Sequence, residues 1–119
     1  PAERWTVGSY APAGGLHSTI GDMGKYALAI LQGDVAGVDE AMAPKVAAST
    51  TVQSGYSWQT EVAGGRTYVH HGGTHPGFNS MIAFDREKNT AVVMLANQTT
   101  QDRNARFEAA RSLLDRNGQ

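Results

Sequence analysis

Between Tyr56 and Asn97 short alternating runs are separated by turn signals, and this rhythm constrains the fold more than any other feature. GYSWQTEV sets Tyr56, Trp58 and Thr60 against Ser57, Gln59 and Glu61, the period-two pattern of a half-buried strand. Ala63-Gly64-Gly65 turns the chain, and RTYVHH, residues 66–71, returns as a hairpin partner. Pro76-Gly77 is a second turn pair, FNSMIAF at 78–84 alternates again, and DREKN is a polar turn. AVVMLAN, residues 91–97, is apolar on both faces and is expected to lie centrally in a sheet.

Helical patterns flank these strands. Ile20, Met23, Ala27, Ile30 and Leu31 recur at helical spacing; Thr19 and Asp22 fit a capping box, and Gly33 stops the run. A shorter helix is expected through VDEAMAPKVAA, bent or ended near Pro44. DRNARFEAARSLLDRNG reads as amphipathic, with Phe107, Ala110 and Leu114 inward and Arg103, Arg106, Arg111 and Arg116 on the solvated face. Trp58 and Tyr56 are expected to pack in the core or line a cleft. The order predicts an α+β fold, an antiparallel sheet of about four strands packed with N- and C-terminal helices on a face. At 119 residues the chain suits a single domain.

Composition excludes several functions. A net charge of −1 offers no field for nucleic acid or an anionic membrane. Without cysteine there is no thiolate chemistry, and no apolar run approaches the roughly 18 residues that span a bilayer. The start, PAERWTVGSY, has no apolar stretch of a signal peptide and no initiator Met, as expected of a piece cut from a longer protein.

The chemistry concentrates in YVHHGGTHPGF, where Gly72 and Gly73 stand among His70, His71 and His75. Metal ligation is disfavoured: the His71-x3-His75 spacing gathers ligands only on a helix, which the glycines and Pro76 preclude. His70 and His71 point to opposite faces of a strand. A glycine inside a strand weakens it, so two together suit a backbone against which something must lie. That something is a substrate pairing with the strand edge or a catalytic group beneath it; the plain alternative is surface histidines beside a hairpin.

HGGTHPGFNSMIAFDREKNTAVVMLANQ resembles the C-terminal signature of the serine β-lactamase and penicillin-binding-protein superfamily, in its class C-like branch of β-lactamases, D-alanyl-D-alanine carboxypeptidases and esterases. PAGGLHSTIGDMGKY is similar to a Gly-Gly-Leu helix start of the same family, so the resemblance covers most of residues 12–98. It implies a partial β-lactamase-like fold and makes His71-Gly72-Gly73 the third catalytic box, on a strand edging the active site. It further implies that the backbone N–H of Thr74 is an oxyanion-hole donor. His71 would donate toward a substrate carboxylate or a catalytic tyrosine, with a charge that could switch near neutrality. Gly72, Gly73 and His75 would line the substrate: a β-lactam, a D-alanyl peptide or a small ester. No cofactor and no metal are implied, and the resemblance points to an exported bacterial protein.

The family's nucleophile motif, Ser-x-x-Lys, occurs nowhere in this sequence, nor does Tyr-x-Asn. Family order places both N-terminal to the motifs seen here. The expectation is therefore a C-terminal segment, inactive alone, carrying one wall of an active site. A rival reading is a catalytically dead superfamily member that serves as a binding or interaction module. In either case the apolar strand 91–97 should be covered at its edge, by an N-terminal portion of the same protein or by a second copy.

Overall fold

Six strands form one antiparallel sheet in sequence order: β1 (Val46–Ala47), β2 (Val52–Ser54), β3 (Gln59–Ala63), β4 (Arg66–His75), β5 (Phe78–Asp85) and β6 (Thr90–Ala96). The computed structural model describes residues 7–98 and 102–117. Among the described residues four α-helices accompany the sheet, α1 (Ala11–Gly14), α2 (Ile20–Gln32), α3 (Val38–Met42) and α4 (Arg103–Asn117), with a 3-10 turn at Gly8–Tyr10 ahead of α1. The α+β class is as the sequence implies, with two more strands than the four expected.

Local chemistry sets the element ends. Thr19 caps α2, its Oγ1 accepting the Asp22 N–H at 3.1 Å, and Gly33 closes the helix with φ of 81°. Helix α3 ends at Met42, near Pro44 as expected. Ala43, the residue before Pro44, takes ψ of 129°, because the proline ring crowds a helical predecessor. The chain then extends into β1 and β2, both too short for any alternation to stand out. Strand β3 begins at Gln59, not at residue 55. Ser57 has a positive φ of 63°, and a side chain at Gly55 would meet the Ala41 carbonyl at 2.4 Å. Tyr56 is therefore exposed, with Lys45 Nζ 4.5 Å from its ring, whereas Trp58 packs edge-on to Phe84.

The helices lie on both faces of the sheet, not on one. Ala27 and Ile30 of α2 pack with Val69, Ile82 and Phe84. Phe107, Ala110 and Leu114 of α4 pack with Tyr68, Met81 and Ala83 on the other side. The last strand, expected centrally, stands at the edge of the described sheet, the same edge that was expected to need cover. β6 ends the sheet, and its apolar residues on both faces reflect two covering helices, with Val93 on the α2 side and Val92 and Met94 on the α4 side. Alternation reports which faces are buried, and says nothing of how many neighbours a strand has. Among the described residues no strand pairs with the outer edge of β6, where Leu95 is exposed.

A buried polar tie fastens α4. Arg66 donates to Asp85 and, at 2.5 Å, to Asp115, which also accepts the Tyr68 hydroxyl at 2.6 Å. Asp85 is fully buried and also accepts the Lys88 N–H at 3.0 Å. Replacing Asp85 by Ala leaves both donors short of an acceptor and should destabilise the protein by about 3 kcal/mol. A fall in the urea midpoint at constant m-value would register this; an unmoved midpoint would show the tie to be dispensable.

Candidate active site

Strand β4 does not break at its glycines. It runs unbroken through Gly72 and Gly73 to His75, paired along residues 69–75 with β5. On the other side β3 pairs with it only as far as Gln59↔His70. Beyond that point the chain preceding β3 turns away, its Tyr56 N–H bonding to the Ala41 carbonyl at 2.8 Å. Residues 71–75 thus form a strand margin that no other strand covers among the described residues.

The direction of the amides on this margin follows from Arg106. Its Nη1 lies 2.6 Å from the Gly73 carbonyl and 3.5 Å from that of Ser80, the residue facing Gly73 on β5. One nitrogen can reach both oxygens only if they point toward each other, as in a hydrogen-bonded antiparallel pair. The peptide joining Gly73 to Thr74 is trans, so the Thr74 N–H points the opposite way, off the open margin.

The sequence reading placed a substrate in the room above the glycines. The structure fills that room from β5: a Cβ at Gly73 would lie 2.5 Å from Ser80 Oγ, and one at Gly72 would lie 3.2 Å from Met81 Cε. What stays open is the edge of the ribbon, not its faces. His71 and Thr74 are exposed, and Gly72, Gly73 and His75 are half-buried. His75 meets the glycine loop that precedes α2, since a Cβ at Gly14 would stand 3.0 Å from its Nε2. The two motifs that carried the resemblance therefore touch in space.

The consecutive histidines occupy opposite faces. His71 pairs with Ile82 on the α2 side, and partial burial, with Arg103 adding, holds its pKa below 6.5. The shift biases the ring toward its neutral form. His70 is 5% exposed and stacks on Phe107 with ring centroids 4.2 Å apart. Glu61 Oε2 comes to 3.5 Å from its Nε2 without a hydrogen bond, and burial outweighs it, lowering the His70 pKa to about 4. Below the margin on the α4 side opens a cavity of about 540 Å³, lined by Glu61, His70, Gly72, Arg103 and Arg106 among others. Among the described residues no three His, Asp or Glu side chains gather to hold a metal.

Arg106 is the residue that sequence reasoning missed, placing it on the solvated face of α4. Its Nη2 also donates to Thr74 Oγ1 at 2.8 Å, and Nη1 donates to Asn79 Oδ1 at 3.1 Å. The usable signal was its position four residues before the inward Ala110 and beside Phe107.

The sequence model of the Beta-lactamase family matches residues 1–115. The chain belongs to the beta-lactamase family. The match spans both the Gly14-Gly15 loop and the His71-Gly72-Gly73 box, and membership places the chain in a superfamily of serine hydrolases. No curated protein matches it.

Burial of His70 in this beta-lactamase-family sheet has a pH signature. The unfolded chain takes up a proton near pH 6.5 that the folded ring refuses until about pH 4. Stability should therefore fall as pH drops from 6.5 toward 4, by on the order of 2 kcal/mol from this group. His71, also lowered, contributes with the same sign. In His70→Phe, which preserves the stack on Phe107, the acid slope of the urea midpoint should flatten. An unchanged slope would remove His70 from this role.

Proposed function

We propose that residues 71–75 form one wall of the active site of a serine acyl hydrolase that works through an acyl-enzyme. The observation that carries this reading is the uncovered margin with the Thr74 N–H directed off it. An acyl group laid along the margin would pair with backbone as an added strand does. Attack by a serine oxygen on the acyl carbon places negative charge on the carbonyl oxygen. The Thr74 amide is a preorganised donor for that charge, and such a donor is worth roughly 3–4 kcal/mol in the transition state. Collapse expels the leaving group and leaves an acyl-enzyme, which water then hydrolyses. The serine belongs to a Ser-x-x-Lys segment N-terminal to this sequence, and the present chain alone is inactive.

His71 stands at the start of the margin as a neutral donor toward a substrate carboxylate or a tyrosine, and His75 closes its far end against the Gly14 loop. Gly72 supplies no hydroxyl at the middle of the box, which favours an ester or peptide over rapid β-lactam turnover. Strands from the N-terminal portion of the same protein, or a second copy, take the outer edge of β6.

Three measurements test this. A fluorophosphonate or fluorescent penicillin should label the whole protein on a serine; absence of any adduct would favour a binding module without catalysis. Thr74→Pro deletes the amide proton on an open edge where proline is tolerated, and should lower the acylation rate about 10²- to 10³-fold. Retained acylation would take Thr74 out of the mechanism. Among substrates, p-nitrophenyl esters should be cleaved faster than cephalosporins, and the reverse order would overturn the substrate preference.

A further inference from the structure

We propose that Arg106 is a positioning residue that both orients and polarises the peptide joining Gly73 to Thr74, and so sets the strength of the Thr74 N–H as an oxyanion donor. The inference rests on the acyl-hydrolase reading. Its ground is that Arg106 and the oxyanion grip opposite ends of one amide. The guanidinium donates to the Gly73 oxygen at 2.6 Å, and the N–H of that same peptide leaves the margin on the other side.

Two physical effects follow. A cationic donor on an amide oxygen draws the nitrogen lone pair toward the carbonyl and leaves the N–H a better donor; chained hydrogen bonds strengthen one another in this way. Arg106 has no carboxylate partner among the described residues, so its charge reaches the peptide without an ion pair to offset it. The second effect is geometric. Two successive glycines leave the backbone with wide conformational freedom. The planar guanidinium spans this stretch, with Nη1 on Gly73 O and Nη2 on Thr74 Oγ1, and Asn79 Oδ1 at 3.1 Å completes the clamp. A lysine has the charge but not the fork.

The test uses the whole protein with a neutral p-nitrophenyl ester, which offers no carboxylate for an arginine to bind. Arg106→Met should lower kcat about tenfold to a hundredfold, less than loss of the donor itself, with KM changed under about threefold. Arg106→Lys should fall between Met and wild type. The infrared carbonyl stretch of the trapped acyl-enzyme should move to higher frequency in Arg106→Met, since a weaker donor polarises the carbonyl less. A change confined to KM, or an acyl carbonyl at the wild-type frequency, overturns the positioning role while leaving the hydrolase reading intact. If Arg106→Met fails to fold, the same two readouts on Arg106→Lys decide. Wild-type protein that forms no acyl-enzyme overturns both.

Discussion

Helix α4 is held to the sheet by arginine contacts at both ends, and the register of the helix along β4 depends on them. At the C-terminal end Arg66, on β4, reaches Asp115 and the buried Asp85. At the N-terminal end Arg106, on the helix itself, reaches back to the backbone of β4 and the side chain of Asn79. Between them Phe107, Ala110 and Leu114 are buried against Tyr68, Met81 and Ala83. The apolar contacts supply most of the attraction, and the polar ties determine where along β4 the helix comes to rest. A helix shifted by one turn would carry Arg106 away from Gly73.

The margin itself arises by subtraction. β3 has five residues and β4 has ten, so the longer strand outruns its neighbour at His70. The shortfall comes from Gly55 and Ser57, whose close packing and positive φ carry the incoming chain toward α3 instead of along β4. On the remaining side β5 stays paired through His75, and its Ser80 and Met81 fill the volume the glycines leave. The ribbon is thereby rigid on one flank and unclaimed on the other.

Much of this was legible because it is local. The hairpins at 63–66 and 75–78 and the cap at Thr19 each depend on a few adjacent residues whose chemistry allows little else. The stretch from Val46 to Ser54 was not legible. The helix end before Pro44 was readable, but β1 and β2 are too short to show a period. β6 stands at the edge of the described sheet, and its apolar residues on both faces are covered by α2 and α4, a burial that looks the same in sequence for an edge and a central strand. Arg106 escaped because a charge on an amphipathic helix reads as solvation until a carbonyl is seen within reach. His70 and His71 separated as strand geometry demands, yet only the fold shows which of them is stacked and which is exposed.

The sheet has two kinds of exposed border, and they lie on different strands. Among the described residues the outer edge of β6 is open, with α2 on one face of the strand and α4 on the other. With β5 between them, the two borders do not compete for the same hydrogen-bonding groups. On the acyl-hydrolase reading proposed above, assembly and turnover are in this sense orthogonal: docking along one border should alter how long the protein lasts, and leave the handling of an acyl group to the other.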